Sequence, residues 1–439
     1  MRFLSRVGVT ALAAAFSLAL PAVALAQGPE GNQISAGDTA WVLGSASLVM
    51  IMTPALAFFY GGMVRNKNAL GTIMHSFVII ALISVQWVLY GYSLAFGPDH
   101  WGIIGGLDWV GLNGVGLEPN PDYAATIPHQ AYMIFQGMFA VITPALITGA
   151  FAERMKFKSF LIFTLLWATL VYDPVAHWVW GSGGWLRQLG VLDFAGGAVV
   201  HITSGVGALA AALATGKRSG VEDGAVEPHD ITMIVLGAGF LWFGWFGFNA
   251  GSAVASGALA TSAFVVTNTS AAMGALVWMT LSWAISGKPS VVGTVSGAIA
   301  GLAAVTPASG FVTPMGAIVI GLVAGVICYL AVRWRARSPL DDSLDVWAVH
   351  GVGGTWGILA VGLFGTVAVN AAGANGLFYG NINQLWSQLT AVVALWIYSF
   401  VLTFAILKVV DVFFGLRVPE HEEAEGLDLS QHGEAAYNA

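Results

Sequence analysis

The sequence predicts an all-α polytopic membrane protein of eleven transmembrane helices, and three observations carry that prediction. Only 9% of the 439 residues are charged, against 57% hydrophobic, whereas a soluble domain of ordinary make-up carries about 25% charged residues. Eleven apolar stretches are each long enough to cross about 30 Å of hydrocarbon. The lysines and arginines fall almost entirely into alternate connections between those stretches. So few charges cannot wet the surface of a soluble globule or keep a chain unfolded. An ordinary cytosolic enzyme and a disordered chain are both excluded. A net charge of −7 provides no basic surface for nucleic acid. The single cysteine, Cys328, lies in an apolar run, which leaves no disulfide framework and no cysteine-based metal site. Fifty-six glycines suit helices packed backbone to backbone in lipid.

Arg2 and Arg6 precede the apolar run from Val7 to Leu20, and Ala24-Leu25-Ala26 forms a small-residue cleavage site. Residues 1–26 therefore read as a cleaved signal peptide, with an uncleaved first helix as the other reading. The membrane domain occupies 27–414. Its spans are expected near 40–63, 69–97, 128–152, 159–180, 194–215, 231–250, 258–286, 291–307, 314–336, 344–366 and 385–414. With the mature N-terminus outside, the cytoplasmic segments hold thirteen of the fourteen Lys and Arg beyond the leader, and only Arg187 lies outside. The positive-inside rule thus places the N-terminus outside and the C-terminus in the cytoplasm. Residues 415–439 form a short acidic cytoplasmic tail, with six Asp and Glu against Arg417.

An internal repeat completes the architecture. Val200-His201-Ile202-Thr203-Ser204-Gly205, near the fifth span, resembles Val349-His350-Gly351-Val352-Gly353-Gly354, near the tenth. Five spans apart, the two segments run in opposite directions through the membrane. That points to two inverted five-helix repeats plus a final helix, with the site where the halves meet.

Ionisable groups at membrane depth are costly and usually functional. No Lys or Arg lies centrally in any span, which removes a retinal Schiff-base lysine and an Arg-rich voltage sensor. No HExxH motif and no embedded carboxylate pair suggests a protease. His75, Asp173, His177, His201 and His350 remain, with Asp193 and Asp345 leading into the fifth and tenth spans. His201 and His350 occupy matching places in the two halves, so inverted symmetry brings them together. Two neutral imidazoles share a proton between nitrogens and offer donor and acceptor faces to a small polar solute. His75 and His177 read as packing or helix–helix hydrogen bonding. Asp193 either accepts from the first free N–H groups of the fifth span or coordinates a cation directly.

Most aromatic residues belong to interfacial belts or the core. A subset also suits a cage: Trp178 and Trp180 end the fourth span, Phe135 and Phe139 lie one turn apart beside Gln136, and Trp245 to Ser252 ends the sixth. Ring faces attract a small desolvated cation while a hydroxyl oxygen accepts one of its N–H groups. Spacing alone leaves belt and cage both open.

Several segments together resemble the Amt/MEP/Rh ammonium transporter family, in its bacterial Amt branch. They are Asp193 to His201 and on to Gly216-Lys217-Arg218; Phe58-Phe59-Tyr60-Gly61-Gly62; Ala152-Glu153-Arg154; Ala176-His177-Trp178-Val179-Trp180-Gly181; Trp245 to Ser252; and Asp345 to Gly351. Gly415-Leu416-Arg417-Val418-Pro419, Glu425-Gly426-Leu427-Asp428 and His432-Gly433-Glu434 extend the likeness into the tail, so it covers the whole mature chain in order. The resemblance implies a homotrimer of subunits with separate pores, conducting ammonium or ammonia. It implies that Trp180, Phe139 and Ser252 bind ammonium, with Asp193 the carboxylate needed nearby. Phe139 and Phe248 are then the stacked rings gating the pore, and His201 and His350 the pair lining it. It further implies a bacterial inner membrane and PII-type signalling proteins docking on the cytoplasmic face to block the pore. No metal, cofactor or enzymatic activity is implied.

Two features depart from the family pattern: Asp173 stands before Pro174 where an apolar or small residue is expected, and the spacing from Trp180 to Asp193 differs slightly. Other classes are weighed against these residues. An ammonium sensor acting through regulator docking would carry a longer signalling domain after the last span. A gas or methylamine channel of the Rh type fits the bacterial-type segments and the Trp180 position less well. An enzyme would need a nucleophile, metal cluster or cofactor loop, and the sequence offers none.

Overall fold

The computed structural model describes residues 34–220 and 227–437, so the expected signal peptide lies outside the described residues. Among the described residues, eleven helices are long and apolar enough to cross a membrane. They are Ala36–Met63, Asn66–Phe96, His129–Ala150, Phe157–Gln188, Gly197–Thr215, Ile231–Ala253, Ala258–Ser286, Val291–Ala308, Pro314–Arg335, Trp347–Phe364 and Ile382–Phe414. They coincide with the expected spans except at their ends. The fourth reaches Gln188 because the short helix Trp185–Gln188 follows the main helix, which closes at Trp180. Starts are set locally: Ser35, Asp230, Ser290 and Thr313 each accept a free N–H of the helix that follows. The face bearing residues 415–437 is the tail face; the opposite one, where the fourth span ends, is the Trp180 face.

Each helix at the centre meets its counterpart from the other half. The first span packs along the sixth, and the fifth crosses the tenth. Glycine makes that second crossing possible. A Cβ on Gly205 would lie 2.0 Å from the Gly351 nitrogen, and one on Gly354 would lie 2.8 Å from His201 Cβ. Each of these two glycines stands four residues after a histidine of the repeat. Both histidines sit in π turns, Gly197–Ile202 and Trp347–Gly351, a widening of the helix that is common at functional sites.

The repeat extends further back than the sequence comparison reached. Asp193 stands eight residues before His201, and Asp342 eight before His350. Three residues after each carboxylate the backbone turns left-handed, with φ of 110° at Gly196 and 59° at Asp345. Asp342, rather than Asp345, is therefore the counterpart of Asp193. Asp345 holds the position that glycine holds in the first half, a conformation that strains a residue with a side chain, and its carboxylate pairs with Arg335 at 2.7 Å.

On the tail face, residues 416–432 lie against the bundle. Asp428 accepts the Leu70 and Gly71 N–H groups at 3.0 and 2.7 Å and so caps the second span from outside it. Gln431 accepts the first N–H of the fourth span, from Phe157, at 3.1 Å. Beneath the tail, buried Glu153 takes Arg65 at 2.8 Å and Arg218 at 2.7 Å, and Arg218 forks onto Asp341 at 2.8 Å. Burial works against the Asp341 charge, but Arg218 outweighs it and holds the carboxyl at about 2. For Asp342, burial and then the neighbouring Asp345 push the carboxyl up to about 7.

Candidate functional site

Three cavities line up between the halves. The first, about 220 Å³ on the Trp180 face, is lined by Tyr132, Gln136, Phe139, Trp180, Asp193 and Ser252 among others. Trp180 is anchored by its indole N–H, which donates to the Asp193 carbonyl oxygen at 2.9 Å. Phe139 stands edge-on to it, 5.9 Å away at 88°. The Ser252 hydroxyl proton goes to the Phe248 carbonyl oxygen at 2.8 Å, which leaves its lone pairs free to accept an N–H. Gln136 adds an acceptor: its Nε2 donates to Tyr132 at 3.1 Å and its carbonyl oxygen has no protein partner.

Asp193 spends its carboxylate on the fifth span. Oδ1 accepts from Gly196 and Gly197 at 2.8 and 2.7 Å, and Oδ2 from Ala198 and Val199 at 2.8 and 3.1 Å. Burial raises its pKa above the ordinary carboxylate value, while the four N–H groups pull it back. Its geometry is that of a helix cap, and the direct coordination left open by the sequence finds no free oxygen among these four bonds.

Phe139 and Phe248 close the floor of this cavity, their ring centroids 4.3 Å apart. Behind them a second cavity of about 20 Å³ is lined by Phe248, Ile142, Leu146, Val200, Leu241 and others, with His201 and His350. That is room for about one water-sized solute. The His201 ring stacks at 5.9 Å behind Phe248, and His350 at 5.2 Å behind His201. A third cavity of about 280 Å³ opens toward the tail face and shares Phe59, Ile299 and His350 with the second.

The hydrogen-bond network assigns the protons of the two imidazoles. Thr306 gives its hydroxyl proton to the Leu302 carbonyl oxygen at 2.8 Å and accepts from the Trp245 indole at 2.8 Å. Its remaining lone pair therefore faces His201 Nε2, at 3.3 Å, as an acceptor. His201 then carries its proton on Nε2 and offers the Nδ1 lone pair to His350 Nδ1–H, 3.2 Å away. His350 Nε2 is left as an acceptor with no protein partner.

Trp180, Phe139, Ser252, Asp193, Phe248, His201 and His350 all meet on this line of cavities. Trp178 and Phe135 of the candidate cage line none of the three, Trp178 packing instead 4.5 Å from the Tyr398 ring. Thr306, Tyr132 and the Asp193-to-Asp342 symmetry were not anticipated; Thr306 carries no signal in its Gly/Ala-rich run. Asp173 proves separate from the cavities. Its carboxylate accepts Gln86 Nε2 at 2.7 Å between the second and fourth spans. His75 packs 4.3 Å from the Phe160 ring.

Two inverted halves enclosing a narrow, ring-stoppered conduit between two wider mouths define a membrane transport protein. The chain belongs to the ammonium transporter family, whose model matches residues 40–437. It is 55% identical over 403 residues to an ammonium transporter of Bacillus subtilis, covering 91% of this chain and 98% of that one. The crystal structure of Candida albicans Mep2 superposes with a TM-score of 0.85 at 40% identity, covering 92% of this chain and 91% of that one. A structure titled Sensor Amt Protein matches with a TM-score of 0.84 at 30% identity, covering 90% of this chain and 98% of that one.

Proposed function

We propose that the chain transports ammonium by collecting it at the Trp180 face, removing a proton near the Phe139/Phe248 pair, and passing ammonia along His201 and His350. One observation carries the reading: a wide polar mouth is separated by two rings from a chamber whose polar lining is the two imidazoles, Trp245 having committed its indole N–H to Thr306. At the mouth, Trp180 and Phe139 attract the cation through their ring faces and Ser252 accepts one N–H. The charged ion cannot enter the 20 Å³ chamber without a large desolvation cost. Ammonia can, and His350 Nε2 accepts one of its hydrogens. Potassium has no proton to lose and no N–H to donate, so the same chamber excludes it. Of the two imidazoles only His350 Nε2 keeps a free lone pair, so the pair takes up the proton there, in a separate step, beside the cavity that opens to the tail face.

We further infer that the Trp180 face lies outside and the tail face in the cytoplasm of a bacterial inner membrane, that residues 1–26 are cleaved, and that the chain forms a homotrimer regulated by a PII-type protein at the tail face. The skew of thirteen of fourteen basic residues supports the orientation. The resemblance supports the rest.

The test is transport by the purified chain in lipid vesicles, reading current and internal pH together. Current on an ammonium pulse marks net charge movement; alkalinisation without current marks neutral ammonia. Silence in both refutes the proposal and favours an ammonium sensor.

A further inference from the structure

His177 is fully buried, three residues before Trp180, and no step above uses it. Both its ring nitrogens face oxygen acceptors. Nδ1 lies 3.0 Å from the Ala95 carbonyl oxygen and Nε2 lies 2.9 Å from Asp99 Oδ1. A carbonyl oxygen has no proton to give, so Nδ1 carries a hydrogen. In a neutral ring Nε2 would then aim a lone pair at a carboxylate. Asp99 Oδ1 also accepts the Gly102 N–H at 2.7 Å. Both contacts of the ring are attractive when both its nitrogens are protonated.

The surrounding chain is shaped to this pair. A Cβ on Gly181 would lie 2.5 Å from His177 Nδ1, one on Gly184 2.0 Å from the His177 carbonyl oxygen, and one on Gly183 2.5 Å from Asp99 Cβ. These glycines form the loop that leaves Trp180. Asp99 belongs to a small hairpin, Asp99–His100 with Ile104–Gly105. That hairpin also takes the Trp178 indole N–H at the Ile103 oxygen, 2.7 Å, and the Trp185 N–H at the Gly102 oxygen, 3.0 Å. The residues on either side of Trp180 are thus tied to the hairpin, with the His177–Asp99 contact at the centre. Of the other charged groups, Arg187 donates to the Trp180 carbonyl oxygen at 2.8 Å, and Asp122 and Arg187 act on Tyr123, whose hydroxyl accepts the Ser182 N–H.

We propose that His177 is an imidazolium paired with Asp99, and that this pair is a positioning element that sets Trp180 for ammonium recruitment. The positioning half rests on the reading of Trp180 given above; the charge state does not. A neutral histidine here would leave one contact of a fully buried ring repulsive.

The charge state is tested by solid-state NMR of ¹⁵N-histidine-labelled protein in lipid bilayers at neutral pH. The expected result is one histidine with both ring nitrogens protonated, absent in His177→Gln. Neutral tautomers alone would overturn the proposal. Positioning is tested with Asp99→Asn, judged folded by gel filtration. It is expected to lose the doubly protonated signal and to raise the half-saturating ammonium concentration on the order of tenfold with the maximal current retained. An unchanged half-saturation overturns the positioning role. Trp180→Ala with unchanged half-saturation would count instead against Trp180 as the recruitment site, leaving the NMR result to decide the charge pair.

Discussion

Replacing Thr306 with valine keeps the shape of the side chain and deletes one oxygen. That oxygen joins three hydrogen bonds: to Leu302 at 2.8 Å, from Trp245 at 2.8 Å and from His201 at 3.3 Å. Valine strands two buried N–H donors, at about 1–3 kcal/mol each and less for the longer bond, so the variant loses about 2–5 kcal/mol of stability. The functional effect is separate. Thr306 is the group that selects the Nε2–H tautomer of His201. If its bond favours that tautomer by about 1 kcal/mol, its removal takes the productive arrangement from about five-sixths of molecules to about half. The freed Trp245 ring, 5.4 Å from His201, adds misalignment. Ammonium-evoked current per folded protein in vesicles should therefore fall about two- to tenfold, while Thr306→Ser, which restores the oxygen, stays within about twofold of wild type. Thermal unfolding followed by tryptophan fluorescence reads the stability. A valine variant that unfolds at the wild-type temperature and conducts at the wild-type rate would refute the tautomer argument.

Three further outcomes follow from the geometry. Gly205→Ala forces a methyl to 2.0 Å from the Gly351 nitrogen, so the variant should aggregate on gel filtration, while Gly239→Ala, with nothing within 4 Å, should run as wild type. Asp193→Asn turns an amide toward two of the four capped N–H groups, costing about 2 kcal/mol and displacing Trp180; a lower unfolding temperature with weakened ammonium affinity is expected, and wild-type values for both would discount the cap. Asp342 is raised when folded, so the native state keeps its proton above the unfolded carboxylate range and loses stability as pH climbs from about 4 to about 7. Asp342→Asn should flatten that decline and unfold later than wild type at pH 8; an unchanged pH profile would dismiss Asp342 as its source.

Much of this was legible because a bilayer imposes strong rules. Apolar length fixed the eleven spans, and two similar histidine segments exposed the inverted halves. Helix ends were less legible: the fourth span gains Trp185–Gln188 from a short extra helix, which hydropathy alone cannot separate from the span. The symmetry partner of Asp193 was hidden because it depends on a left-handed residue, and Asp345 occupies that position without being glycine. Thr306 was invisible for a different reason. Its role comes from meeting Trp245 and His201 across the bundle, a contact that no local pattern encodes. His177 was legible as a hydrogen-bonding residue, but its two opposed acceptors come from Ala95 and Asp99, some eighty positions away.

The most direct test of the central claim is current from the purified chain in proteoliposomes on a solid-supported membrane, pulsed with ammonium and then potassium, wild type beside His201→Ala. The account predicts that wild type responds to ammonium and stays silent to potassium, and that the variant loses its current or its selectivity. Equal ammonium-selective current in the variant, or potassium current in wild type matching that of ammonium, would contradict it.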